Sequence, residues 1–320
     1  MALRPVVRLA PRVGCSFMEW SSTTLRMFRA LAETGSFTAA AAALGYSQSA
    51  VSRQIAALER STGRQLVYRR SDGARLTAAG SVLLRHAAAA LDEIDRAERV
   101  LGGAAPTVAP IRLGVFTSVG AALIPETLAL MRRHAPDVEV TTREGSTPAL
   151  TRSVRAGTVN VAVLSSRQPF PPPDDQEPLL ELETLLEGDL LVAVPARGDL
   201  GLDGSVTLAE LAAVSWIASP QTAGEPAMGV WPALPQRPAV SHMARDWLGK
   251  LTLVGAGHGV TTIPPYLVGL VPASVRLARV ADGEPVTRRV VMARLPGPAT
   301  SAVTALADCL REAAAGLPLA

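Results

Sequence analysis

Within residues 48–54 the sequence sets out two amides (Gln48 and Gln54), two hydroxyls (Ser49 and Ser52) and the guanidinium of Arg53. Gln48 and Ser52, and likewise Ser49 and Arg53, are spaced i,i+4, so a helix places each pair on one side. Val51, Ile55 and Leu58 recur at spacings of four and three and form an apolar stripe on the other side. Amides, hydroxyls and a guanidinium on one helix face are the groups that reach base edges and phosphates when a helix lies in a DNA groove. Taken alone, the segment also reads as an ordinary amphipathic surface helix. No other chemistry finds a constellation. The four histidines, at 86, 134, 242 and 258, lack metal-ligand spacing. There is no Gly-x-Ser-x-Gly elbow, phosphate loop or dinucleotide fingerprint behind a strand. The glycine-rich stretch 255–260 precedes TTIPP and reads as a helix end entering a strand. The expectation is therefore no catalytic residue, no cofactor and no metal. Cys15 and Cys309 read as two ordinary thiols in a reducing cytoplasm.

The elements that must hold this face are legible on either side of it. Ser36 is an N-cap candidate, and Phe37, Ala40, Ala41 and Leu44 behind it recur at helical spacing. Gly45 stands where that helix must stop and turn, and Ser47 can cap the next one. Residues 66–77, LVYRRSDGARLT, have β-like ends around a Ser-Asp-Gly turn and read as a hairpin carrying Arg69, Arg70 and Arg75. Two helices with a basic hairpin beside them make a winged helix-turn-helix. Its candidate DNA contacts are Thr38, Ser47, Gln48, Ser49, Ser52, Arg53, Gln54, Arg69, Arg70 and Arg75.

Residues 25–80 resemble the winged helix-turn-helix of LysR-type transcriptional regulators. The resemblance is carried by LRMFRALAETGSFTAAAAALGYSQSAVSRQIAALE, then STGRQL, then RLTAAG. Ser49 stands where the family usually has proline, Val67 where it has phenylalanine, and Asp72 near a position that is often basic. Charge agrees with the resemblance. Residues 23–80 hold eight arginines against three acids, a net of +5, so the remainder of a chain totalling +3 is at −2. Positive charge is concentrated where phosphates would be met.

Residues 79–101 read as one long helix on which Leu84, Ala87, Leu91, Ile94 and Leu101 form a near-heptad stripe. Such a stripe suits either a two-helix seam or packing on the chain's own domain. The resemblance favours the seam, because in this family the linker helix pairs two heads. Beyond residue 110, strands alternate with helices: IRLGVF, a helix at 123–134, VEVTTREG, a helix at 147–156, and VNVAVLSS. Successive βα units imply a mostly parallel sheet. A second set follows the proline-rich stretch 169–178: LLVAVP, SWIASP, a helix at 247–256 and GVTTIPPYL. RRVVMARL and a helix at 300–315 return to the first lobe. Two such lobes resemble the effector-binding domain of the same family, which is like periplasmic solute-binding proteins.

The expected fold class is α+β multidomain: winged helix-turn-helix, long linker helix, and two-lobed α/β periplasmic-binding-protein-like domain. The boundaries are an extension at 1–19 (with Met18 an alternative start), the head at 20–78, the linker at 79–103, a hinge at 104–110, and the effector domain at 111–320. In the last, lobe 1 takes 111–168 and 270–320 and lobe 2 takes 169–269. Strand ends and helix N-termini facing the cleft offer free amides suited to an anion. That singles out Thr117, Ser118, Ser146 and Thr147 in the first lobe and Ser219 and His242 in the second, each with ordinary capping or surface hydrogen bonding as the alternative. The implied partners are double-stranded DNA with a dyad-symmetric site, a small and anionic effector, and further copies of the chain as a dimer or tetramer. No apolar run approaches the roughly 20 residues that span a bilayer, and the expected location is the cytoplasm. The competing reading is a solute-binding or enzymatic α/β module with a basic N-terminal head.

Overall fold

The computed structural model describes residues 20–70, 73–102, 110–220, 228–232, 234, 236 and 238–318. The proposed N-terminal extension, most of the hinge, Asp72, Cys15 and much of 220–240 lie outside them. The head opens with α1 (Ser22–Thr34), α2 (Phe37–Leu44) and α3 (Gln48–Thr62). Ser36 and Ser47 cap α2 and α3 as their types predict, accepting from Ala39 and Ala50 amides. Gly45 takes φ 71°, a left-handed turn open to glycine without steric penalty, and ends α2. Phe28, Leu31, Val51, Ile55 and Leu58 are buried together and set the angle between the helices. The wing is an antiparallel pair, β1 (Val67–Arg70) with β2 (Gly73–Leu76). The Glu59 carboxylate of α3 accepts the amides of Leu66 at 2.8 Å and Val67 at 3.1 Å, tying the wing's base to the recognition helix.

On linker helix α4 (Ala78–Leu101) the predicted stripe divides. Leu84, Ala87 and Leu91 are buried against α1 and the rest of the chain's own head, while Ile94 and Leu101 of the same stripe are exposed. The first half of the near-heptad stripe is therefore used to cover the head.

The first lobe is a five-stranded sheet in the order β4-β3-β5-β13-β6. Its strands are β3 (Ile111–Val115), β4 (Val140–Glu144), β5 (Val161–Arg167), β6 (Glu181–Asp189) and, late in the chain, β13 (Thr287–Arg294). β3 runs parallel to β4 and β5, whereas β13 is antiparallel to both β5 and β6. Helices α5 (Thr117–Ala122), α6 (Ile124–His134), α7 (Thr147–Arg155) and α10 (Ser301–Ala315) cover it. The second lobe holds β7 (Leu191–Pro195), β8 (Ser205–Val206), α8 (Leu208–Ala213), β9 (Ser215–Ala218), β10 (Ala239–Met243), α9 (Trp247–Gly255), β11 (Thr261–Ile263) and β12 (Val275–Val280). β7 is antiparallel to β11 and β12, and β9 is parallel to β10.

Two expectations shift. The parallel character is confined to β4-β3-β5 and short pairs of the second lobe. The lobe crossings also move: residues 181–189 belong to the first sheet and 275–280 to the second, so the chain crosses at Leu190 and again between 280 and 287, not near 169 and 269. A short 3-10 segment (Pro265–Leu270) follows β11 and packs on α5 of the first lobe. Residues from both lobes share one apolar core, among them Leu113, Val163, Met292, Ile217, Val254 and Ile263.

Candidate functional site

On α3 the apolar stripe is fully used: Val51, Ile55 and Leu58 are buried. Gln48, Ser49, Arg53 and Gln54 are exposed on the opposite side, Ser52 is half-buried, and Thr38 and Ser47 are exposed beside them. Capping occupies part of this set. The Ser47 hydroxyl accepts from the Ala50 amide at 3.2 Å and lies 3.1 Å from the Ser49 hydroxyl. Gln54 accepts a hydrogen bond from Thr24 of α1 at 3.0 Å, so its amide is oriented before any ligand arrives.

The wing arginines differ from one another. Arg69 donates to Ser52 at 3.0 Å, and its guanidinium stands 4.5 Å from the centre of the Phe37 ring. A hydroxyl of α3 and a ring at the start of α2 thus aim one cation along the helix-turn-helix. Arg70 is exposed. Arg75 lies 3.7 Å from Asp175 of the loop before β6. Two further aromatics, Tyr46 beside the α3 N-terminus and Tyr68 on β1, are exposed. Their signal, aromatics flanking a cap and a basic hairpin, is present in the sequence but common to core residues.

In the first lobe, four predicted residues meet where β3, β4 and β5 end. Thr117 donates to Glu144 at 2.6 Å, and Thr147 donates to the Ser165 carbonyl at 3.3 Å. Ser146 caps α7, accepting from the Ala149 amide. Ser118 is buried, with its hydroxyl 3.1 Å from that of Tyr266. Ser219 and His242 belong to the other lobe. Ser219 donates its amide to the Met228 carbonyl at 2.7 Å, and the His242 ring packs edge-on against His258 at 5.6 Å. Sequence reasoning missed Tyr266, because its relation to Ser118 spans 148 positions of chain. Burial pushes the Tyr266 hydroxyl up to about 12, with the Ser118 hydrogen bond opposing, so it stays a neutral phenol. It also missed Lys250, whose burial on α9 pulls it down to about 8. Among the described residues, no cluster of three or more histidines, cysteines and acids could hold a metal ion, and no helix is long and apolar enough to cross a membrane.

The head is fastened to the first lobe at Glu33, the C-terminal end of α1. Its carboxylate pairs with Arg143 of β4 and accepts from Ser153 of α7 at 3.4 Å, and its carbonyl accepts from Arg152 at 3.0 Å. Helix α7 therefore caps the cleft with its first turn and touches the head with its flank.

Comparison with known proteins accords with this division of labour. Residues 22–81 match the family model for the bacterial regulatory helix-turn-helix protein, lysR family, and residues 105–315 match the LysR substrate binding domain. The Hca operon transcriptional activator HcaR of Escherichia coli (strain K12) is 29% identical over 247 residues, covering 76% of this chain and 81% of that protein. The uncharacterized HTH-type transcriptional regulator YnfL of the same organism is 32% identical over 250 residues, covering 75% and 80%. A full-length OxyR variant from Pseudomonas aeruginosa aligns with a TM-score of 0.58 at 22% identity, covering 92% of this chain and 95% of that one. Full-length CbnR in complex with its target DNA aligns at 0.52 and 23%, covering 92% and 100%. At these identities the likeness is one of fold. The chain belongs to the LysR family of DNA-binding transcriptional regulators, with an effector-binding domain behind its helix-turn-helix head.

Proposed function

We propose that α3 enters the major groove of a dyad-symmetric operator with Gln48, Ser49, Ser52, Arg53 and Gln54 toward the bases. Thr38, Ser47, Arg69, Arg70 and Arg75 take the flanking phosphates. The observation that carries this reading is the Arg69 guanidinium, held by Ser52 and Phe37 so that wing and recognition helix present one continuous polar face. Two or four copies of the chain act together in the cytoplasm, with half-sites about one helical turn, roughly 34 Å, apart or at a multiple of it. Linking two weakly binding heads raises the effective concentration of the second.

A small anionic effector lies between the lobes, at the ends of β3, β4 and β5, against Thr117, Ser118, Ser146 and Thr147, with Ser219 and His242 from the far side. Its control of DNA binding is a linkage: the effector favours one arrangement of lobes and heads over another. The decisive measurement is a gel shift on the DNA flanking the protein's own gene. Arg53→Ala should weaken specific binding by about 1–3 kcal/mol, or roughly tenfold to a hundredfold, with sequence discrimination relaxed. Unchanged specific affinity would sink the assignment of α3.

A further inference from the structure

The strand ends of the first lobe carry two arginines without a counter-charge. Arg288 of β13 stands directly opposite Arg167 of β5 on one side and Gly188 of β6 on the other. Directly opposed residues project from the same face of a sheet, so the three form one row. One step inward, the equivalent row is Ser165, Val290 and Leu186, and Val290 and Leu186 lie in the core shared by both lobes. A Cβ on Gly188 would come within 2.8 Å of the Pro265 ring, so the row runs beneath the 3-10 segment. Tyr266 is the next residue of that segment, with its hydroxyl on Ser118.

The opposite face of the same strand ends is neutralised. Arg289 donates to Glu187 at 2.7 Å, and Thr287 donates to Asp189 at 2.8 Å. Arg167 and Arg288 have no ion pair or hydrogen-bonded side-chain partner among the described residues. Arg288 is half-buried. Its pKa is lowered first by that burial and then by the like charge of Arg167, while Tyr266 acts in the other direction. Two neighbouring cations, one of them partly desolvated, are an arrangement that an anion would stabilise. A guanidinium also offers the planar fork that matches carboxylate or phosphate oxygens.

We propose that Arg288 and Arg167, with the hydroxyls of Tyr266 and Ser118, form the subsite for an oxyanionic group, a carboxylate or phosphate carried by the small-molecule effector. The inference rests on the reading that a small anionic effector lies between the lobes, and it adds the cationic residues that would meet that charge.

The test uses the full-length protein and two probes, sodium acetate and inorganic phosphate, each against sodium chloride at equal ionic strength, read as the thermal unfolding midpoint. Wild type should be stabilised by one or both anions beyond chloride, which also tells carboxylate from phosphate. Arg288→Gln should abolish that excess and Arg167→Gln should reduce it, the latter at an exposed position that folding tolerates. Apparent affinity for the stabilising anion should fall at least tenfold in Arg288→Gln. Equal shifts in wild type and both variants, or no excess over chloride in wild type, would overturn the subsite. Ser146→Ala separates this outcome from failure of the cleft reading. If Ser146→Ala loses the anion effect and the arginine variants keep it, the cleft stands and the arginine subsite falls. If only the arginine variants lose it, the subsite stands and the placement at α7 falls.

Discussion

Lys250 shows how one side chain records its surroundings. It is 2% exposed, its ammonium lies 4.7 Å from the Trp247 ring, and among the described residues it has no hydrogen-bond partner. Burial lowers its pKa from 10.5 to about 8, with Asp246 offsetting part of the effect. The folded chain thus binds this proton less tightly than the unfolded chain does. Below pH 8 both states are charged and the fold carries the whole penalty, about 3 kcal/mol at most. Between 8 and 10.5 the folded state is neutral while the unfolded one is still charged, so stability rises with pH. Lys250→Met should therefore raise stability at pH 7 by about 1–3 kcal/mol in urea unfolding, and the advantage should shrink by about pH 10. A variant less stable than wild type at pH 7 would assign Lys250 a structural partnership that its geometry lacks. Side chains of this kind were invisible in the sequence, where Lys250 stands in a helix with no mark of burial. Arg53 and Gln48 were legible because helical spacing alone sets them on the side of α3 away from Val51 and Ile55.

At the scale of elements, periodicity located the helices and strands it singled out but passed over residues 181–189, 208–213 and 275–280, and it could not say what each helix faces. A stripe of apolar residues is the same signal whether the partner is the chain's own head or a second copy. In α4 the stripe divides: Leu84, Ala87 and Leu91 cover the head, and Ile94 and Leu101 stay exposed together with Val82 and Val100. The two halves should respond differently to substitution. Leu91→Ala opens a cavity at a fully buried position and should lower stability by about 2–5 kcal/mol. Ile94→Glu, at 38% exposure, should leave unfolding within about 0.5 kcal/mol of wild type while weakening self-association in sedimentation. Loss of stability without a change in oligomeric state at Ile94 would place the pairing surface elsewhere. The lobe boundaries failed in the sequence for a related reason. Nothing local in strands 181–189 and 275–280 marks which sheet each joins, and only long-range pairing assigns them.

In the whole molecule, cleft and head are joined by charged contacts that no local pattern could announce. Asp92 of the linker helix holds Arg112 of β3 with bonds of 2.8 and 3.2 Å and also meets Arg29 of α1 at 3.4 Å. Glu33 makes the second junction, to β4 through Arg143 and to α7 through Ser153. Both of those elements also border the proposed effector site, β4 by the Glu144–Thr117 bond and α7 by Ser146 and Thr147. A shift of α7 or β4 on effector binding therefore bears directly on the end of α1, and α1 packs on α2 and α3. Linkage makes this coupling reciprocal, so operator binding must act on α7 as strongly as the effector acts on the head. That gives a test without knowledge of the effector. In wild type, adding operator DNA should change amide hydrogen exchange across residues 140–155, remote from the recognition helix. Glu33→Ala removes the ion pair and the Ser153 contact while leaving the polar face of α3 in place. Operator affinity should then change by less than about tenfold, since the altered contacts are partly exposed, while the exchange response at 140–155 should largely vanish. An unchanged response in Glu33→Ala would mean that the signal travels through Asp92 and the linker helix instead. Asp92→Asn, which weakens the hold on Arg112 and Arg29 together, would then be the variant that abolishes it.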